Sequence, residues 1–261
     1  MCKVISIVNQ KGGCSKTTSA VNIGIGLANA GKKVVLIDAD AQGSLTASLG
    51  FQKPDELKVT LATIMAKTIN EEEIDLSNII LHHEEGVDLV PGNIELSGLE
   101  VQLSNVLSRE LILKEFVDSL RDSYDYILID CAPSLGMMTI NALVAADEVI
   151  IPVQAAYLPV KGLQQLMKTI NMVKRRLNKK LQIDGILLAM VDYRTTFARN
   201  ISAELFTAYG ESVGIFENYI PSSIKAVEAS SAGISIYKHD PKGKVAQAYA
   251  KVTQEVLNHE N

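Results

Sequence analysis

The sequence predicts an α/β protein built on a doubly wound, mostly parallel β-sheet flanked by helices. Three observations carry this prediction. Short β-branched runs alternate with helical patterns from one end of the chain to the other. The runs at 33–38 (KVVLID) and 126–130 (YILID) are continuously apolar rather than alternating, as strands covered on both faces are. The 261 residues, 47% hydrophobic and 21% charged, supply enough core for a single domain over 1–261.

Taken in order, residues 4–8 read as a buried strand leading into a glycine turn, and a helix follows over about 17–30. Gly31 then stands where a glycine ends a helix. The strand at 33–38 comes next, and the more charged stretch 51–83 reads as an insertion with short helices. Strands are expected at 126–130, 148–154 and 183–191. A helix over 160–177 is marked by Val160, Leu163, Leu166, Met167, Ile170, Val173 and Leu177 at helical spacing. The last helix, about 241–257, carries Val245, Ala246, Tyr249, Val252 and Val256 on one face and reads as packed on the core. There is no internal repeat, low-complexity segment or Pro/Ser-rich linker.

Composition excludes several classes. A net charge of −5 and a pI near 5.5 argue against a constitutive nucleic-acid binder, though not against a local basic face that works in a dimer. With no Trp, the chain lacks the usual stacking platform for single strands. Cys2, Cys14 and Cys131 are too scattered for a disulfide framework or a zinc site. No apolar stretch approaches the roughly 20 residues of a membrane span, and the N-terminus does not read as a signal peptide. The expectation is a soluble, cytoplasmic protein.

The chemistry sits in residues 11–18, Lys11-Gly12-Gly13-Cys14-Ser15-Lys16-Thr17-Thr18, between a strand and a helix. Small residues let the backbone curl so that successive N–H groups face phosphate oxygens, reinforced by the helix N-terminus. Lys16 is placed to reach the β- and γ-phosphates, and the Thr17 hydroxyl to ligand Mg²⁺. The ordinary spelling has glycine where Gln10 and Ser15 stand here, so the context carries the assignment. Two strand ends complete it: Asp38 and Asp40 after the second strand, and Asp130 before Cys131-Ala132-Pro133. Parallel strands deliver their C-terminal ends to one sheet edge, so these carboxylates should converge on the loop. Asp130 then reads as the carboxylate that holds Mg²⁺ through water.

These motifs, Asn9-Gln10-Lys11-Gly12-Gly13 with Lys16-Thr17-Thr18, Asp38-Ala39-Asp40-Ala41-Gln42-Gly43 and Ile129-Asp130-Cys131-Ala132-Pro133, closely resemble the ParA/Soj partition ATPases. Those are P-loop NTPases of the deviant-Walker group that includes MinD. The likeness continues through Pro152-Val153-Gln154, Val191-Asp192-Tyr193-Arg194-Thr195 and Ile220-Pro221 to Glu228-Ala229, nearly the whole chain. The resemblance implies ATP and Mg²⁺ as cofactors and a homodimer formed on ATP binding. In it Lys11 reaches across to the partner's phosphates, Asp40 positions the hydrolytic water, and Asp38 belongs to the same element. By position Pro221 and Ser223 lie near the adenine, with Met190 and Asp192 as weaker candidates. The resemblance also implies association with non-specific double-stranded DNA at the nucleoid, and release when a ParB-like centromere-binding protein stimulates hydrolysis. Because the loop lies close to residue 1, no N-terminal helix-turn-helix is expected.

Two departures stand out. The family has glycine where Ser15 stands; a β-carbon there crowds the phosphates or demands a backbone angle that L-residues avoid. ATP binding is expected to survive this change, and the hydrolysis rate is the property it touches. Ser222 occupies the place of an arginine associated with DNA contact, which leaves Lys225, Arg194 and Arg199 as basic candidates. The run Lys174-Arg175-Arg176-Leu177-Asn178-Lys179-Lys180 has two readings: a solvated helix end favoured by the macrodipole, which is the weightier, and a basic face. Competing functions are a nucleotide-binding regulator slowed by Ser15, a MinD-like membrane-surface ATPase, and a metal-cluster ATPase. The terminal helix lacks the amphipathic anchor of the second. Cys14 and Cys131 read as packing residues rather than the surface ligands the third requires.

Overall fold

A computed structural model describes residues 2–73, 79–154 and 160–259, the side chains of 160 and 161 excepted. β1 (Lys3–Ile7) leads through the glycine loop into α1 (Lys16–Asn29), and β2 (Val34–Ala39) into a short α2 (Ser44–Ser48). A 3-10 turn at Pro54–Glu56 precedes α3 (Leu61–Ile69), β3 (Leu81–His82), β4 (Val87–Val90), α4 (Glu95–Leu103) and α5 (Ile112–Leu120). Then come β5 (Tyr126–Cys131), α6 (Met137–Ala145), β6 (Glu148–Gln154), α7 (Val160–Arg176) and β7 (Gln182–Ala189). The chain closes with α8 (Thr196–Tyr209), α9 (Ile224–Ala232), α10 (Ile236–His239) and α11 (Lys244–Asn258).

The seven strands among the described residues lie in the order β3-β4-β2-β5-β1-β6-β7, all parallel except the edge strand β3. This is the doubly wound α/β arrangement predicted, and it explains why the strands read as unbroken apolar runs. Successive side chains point to opposite faces, and each face has its own helical layer. Val35, Ile37, Ile127 and Ile129 pack under α3 to α8, while Val34, Leu36, Tyr126 and Leu128 pack under α1, α2 and α9 to α11. The last helix packs as its pattern predicted: Val245, Ala246, Tyr249, Val252 and Val256 are all buried. Tyr249 also meets the Ser19 hydroxyl of α1 at 3.2 Å.

Boundaries agree with the sequence reading to within a few residues. Gly31 lies one residue beyond the C-cap of α1 with φ +83°, the left-handed angle that ends the helix. The strand predicted to reach 191 stops at Ala189, because Met190 turns to φ +54°. Of the stretch 51–83, the described part holds the 3-10 turn, α3 and the antiparallel edge strand. β4 has no counterpart in the sequence reading. It is four residues long, and Asp88 interrupts its apolar pattern because its carboxylate is spent on the Tyr124 hydroxyl at 2.6 Å. The side chain of Val160 lies outside the described residues.

Candidate functional site

The parallel register builds the site. β5 sits between β1 and β2, pairing Ile7 with Asp130 and Asp38 with Asp130. Two carboxylates thus end adjacent strands, directly beside the loop that leaves β1. Thr17, in the first turn of α1, donates its hydroxyl to Asp130 Oδ2 at 2.7 Å. The amine of Lys16 is folded back on its own loop, donating to the Lys11 carbonyl at 3.2 Å, and the side chain is buried. Cys14 is buried too, its thiol directed at the same carbonyl, and burial raises its pKa, so it packs the loop rather than reacting. Gly13 takes φ +69° and Ser15 φ +69°, ψ 26°, so the loop turns left-handed on either side of Cys14.

Asp38 is a structural anchor more than an exposed ligand. It is fully buried, and its Oδ2 accepts both the amide (2.8 Å) and the hydroxyl (2.7 Å) of Thr46. Its Oδ1 accepts the Asp40 amide at 3.3 Å, so it holds the following turn. Asp40 is half-buried and accepts the Gln42 amide at 3.0 Å, which leaves its carboxylate at the surface of the edge beside the loop. Gly92 backs this assembly: a β-carbon there would stand 2.3 Å from the Asp38 carbonyl. Thr46 and Gly92 are positioning residues that sequence reasoning missed, because nothing in local periodicity ties them to Asp38. Asn9 opens the motif that contains the loop. Its amide donates to the Pro152 carbonyl of β6 at 2.7 Å, and its Oδ1 accepts the Lys11 amide at 3.0 Å, pinning the start of the loop to the sheet.

The electrostatics are those of a site prepared for a cation. Burial pushes Asp130 up to about 8, with the neighbouring Asp38 charge adding to the rise and Thr17 and Lys16 opposing it. Burial likewise raises Asp38 to about 6, against the Thr46 hydrogen bonds. Asp130 Oδ1 is buried without any hydrogen-bond partner. A buried oxygen with an empty valence is costly, and a cation-bound water beside Thr17 would satisfy it. The residues present therefore fit Mg²⁺ together with a polyphosphate.

Comparison with known proteins agrees with this geometry. A family model described as an AAA domain matches residues 2–183. The sporulation initiation inhibitor protein Soj of Bacillus subtilis is 40% identical over 257 residues, covering 98% of each chain. The chromosome partitioning protein ParA of Caulobacter vibrioides is 35% identical, over 99% of this chain and 95% of its own. The chain belongs to the ParA/Soj family. Among solved structures, the cobyrinic acid a,c-diamide synthase of Mycobacterium smegmatis with bound ATP analogue and magnesium superposes with a TM-score of 0.87. Its identity is 33%, over 100% of this chain and 96% of that one.

The remaining ParA/Soj positions fall in three places. Gly12 and Lys11 are exposed, and Lys11 opens onto a cleft of about 490 Å³ whose walls include Gln10, Pro133, Ser134 and Gln154. Thr18 is half-buried, and its carbonyl is held by Asn22 at 2.7 Å. Met190, Pro221 and Ser223 come together two strands from the loop, on the same sheet edge. Val191 bridges Pro221, and Ser223 caps α9 by accepting the Lys225 amide at 3.2 Å. Asp192 is occupied: it grips Arg194 through two bonds of 2.8 and 2.7 Å, and the Arg194 guanidinium holds its carboxyl low, at about 2. Lys225 is paired with Glu228 at 2.9 Å, and Arg199 donates to Thr196 at 3.1 Å. Two of the three basic candidates for DNA contact therefore already have a carboxylate of their own.

Proposed function

We propose that this chain is an ATP-driven partition switch: an ATPase that dimerises on ATP, holds non-specific double-stranded DNA in that state, and lets go after hydrolysis. The observation that carries the reading is the register that sets Thr17, Asp130 and Asp38 around a buried Lys16, while Lys11 of the same loop stays exposed. One lysine serves the chain's own nucleotide, and the other is available to a second copy.

In this reading bound Mg²⁺ neutralises charge that develops on the phosphates. Gly12, Gly13, Cys14, Ser15 and Lys16 present loop amides to phosphate oxygens, and the Lys16 amine leaves the Lys11 carbonyl for the β- and γ-phosphates. Thr17 and Asp130 hold the cation, directly and through water. Asp40 orients the attacking water, with Asp38 and Thr46 fixing the turn on which it stands. Lys11 stabilises phosphate charge across the dimer interface in the manner of a finger supplied in trans. Met190, Pro221 and Ser223 form the base end of the site. The name of the relative ParA, a chromosome partitioning protein, supports a role in segregation, and a ParB-like centromere-binding protein is the stimulating partner in this reading.

The test combines ATP hydrolysis, measured with and without DNA and the ParB-like protein, with duplex binding across a salt series. ATP-dependent, salt-sensitive binding to arbitrary duplex is expected, with turnover rising when both ligands are present. Binding that is equally tight without nucleotide, or absent with it, would overturn the DNA part.

A further inference from the structure

This acidic chain carries a groove that combines a basic rim with an apolar floor. The groove lies between the C-terminal ends of α7 and α8 and the start of β7, and encloses about 750 Å³. Lys174, Lys179 and Lys180 stand exposed along its rim. Among the described residues none of the three has a carboxylate within salt-bridge distance, whereas Arg194 and Lys225 each have one. The floor is Met167, Ile170, Ile183, Tyr209 and Val213. Ile183, Tyr209 and Val213 are only half-buried, so apolar surface stays uncovered there. The Tyr209 hydroxyl has no hydrogen-bond partner among the described residues, and burial raises its pKa, which keeps it a neutral donor.

Both walls are held in place. The Asn178 side-chain amide donates to the carbonyls of Ala146 and Leu143 at 2.6 and 3.1 Å, anchoring the link that carries Lys179 and Lys180. On the other side, the amides of Val213 and Gly214 return to the Tyr209 carbonyl at 2.9 and 3.3 Å and close the end of α8. A groove already formed loses little ordering entropy when it is filled.

These features select the occupant. The helix macrodipole accounts for a cation in the last turn of α7, but its effect fades within that turn and does not extend to Lys179 and Lys180. A nucleic-acid backbone offers phosphates to the lysines but no apolar group to the floor. A bilayer surface is flat, and apolar residues lying beneath a rim of lysines do not reach its acyl chains. An amphipathic peptide supplies both partners: carboxylates for the rim, and large apolar side chains at helical spacing for the floor.

We propose that this groove docks an acidic amphipathic segment of a partner protein. It opens at the N-terminal end of β7, on the sheet edge opposite the nucleotide loop. Docking there leaves the loop face free, so the partner stays on the chain through the nucleotide cycle, one segment on each protomer. The inference goes beyond the DNA-binding reading above and does not depend on it.

The test is selection from a random peptide library displayed on phage. The library is panned against the whole chain without nucleotide, with the combined Lys179→Gln and Lys180→Gln variant as counter-selection. Peptides that join Asp or Glu to Leu, Ile or Phe at helical spacing are expected. As labelled synthetic peptides in fluorescence anisotropy, they should bind the double Gln variant about tenfold more weakly, because two charge pairs at the rim are lost. Lys179→Arg with Lys180→Arg keeps both charges and should stay within about twofold of the wild type. Val213→Asp sets a carboxylate in the floor and should weaken binding by about tenfold or more. Affinity should be the same with and without ATP, and basal ATP hydrolysis the same in all the lysine variants. A selection that yields no peptide dependent on the two lysines would overturn the proposal, and so would dependent peptides without apolar residues. Displacement by arbitrary duplex DNA or by phosphatidylglycerol vesicles at matched charge would assign the groove to a bare polyanion or a membrane instead. Binding that appears only with ATP would contradict its place away from the loop face.

Discussion

Replacing Ser15 by glycine isolates the feature in which this loop departs from its family. Ser15 sits at φ +69°, ψ 26°, immediately before the lysine that serves the phosphates, and no side-chain hydrogen bond caps the helix it precedes. An L-residue held in that region costs about 1 kcal/mol relative to glycine, partly offset by the greater entropy that glycine has in the unfolded chain. The net effect of Ser15→Gly on the nucleotide-free protein is a gain of about 0.5 kcal/mol, which for a chain of this size is a rise of about 1–2 °C in Tm. If the same strain opposes the loop's closure on the phosphates at the transition state, 1 kcal/mol corresponds to about fivefold in turnover. Calorimetry and steady-state ATP hydrolysis read the two effects separately. Ser15→Ala is the control, since it keeps the strained angle and the β-carbon while removing the hydroxyl. It should match the wild type in turnover and show no rise in Tm. A glycine variant with unchanged Tm and unchanged turnover would refute the reasoning. An alanine variant as fast as the glycine one would show that the hydroxyl, not the backbone, sets the rate.

Lys16→Ala should abolish ATP binding, seen as loss of nucleotide-induced thermal stabilisation, and retained micromolar affinity would remove this lysine from the phosphate site. Lys11→Ala should leave nucleotide binding by the monomer within about twofold while ATP-dependent dimerisation or hydrolysis is lost; unchanged dimers with normal turnover on size-exclusion and rate assays would count against a role in trans. Asp40→Ala should accumulate the ATP-bound dimer, and wild-type turnover in that variant would exclude Asp40 from orienting the water. Asp130 gives a pH prediction for the nucleotide-free protein. Its folded pKa of about 8 lies above the ordinary carboxylate value, so the folded state holds the proton more tightly, and stability falls as pH rises from about 4 to about 8. By pH 7 this amounts to at most about 4 kcal/mol, and Asp130→Asn should flatten the slope and raise Tm at neutral pH. A pH profile identical to the wild type's would show that Asp130 ionises without penalty.

The fold and the centre of the site were legible because both rest on short-range patterns. Continuous apolar runs announce a sheet covered on both faces, and a glycine loop between strand and helix announces phosphate chemistry. The convergence of Asp38 and Asp130 followed from topology alone, since parallel strands end on one edge whatever their order. What local pattern cannot carry is the long-range partner. Thr46 holding Asp38, Gly92 leaving room for its backbone and Asn9 reaching Pro152 depend on residues 8, 54 and 143 positions apart that only the finished sheet brings together. The basic residues show the same limit in electrostatics. Arg194 and Lys225 were named from sequence as cations, but a cation's use depends on whether a carboxylate already holds it, and both are held. In the sequence the run from Lys174 to Lys180 has two readings, a solvated helix end favoured by the macrodipole and a basic face. The fold sets Lys174, in the last turn of α7, with Lys179 and Lys180, in the link to β7, along one groove. Whether a cation is available is therefore a property of the pairing map and not of the sequence alone.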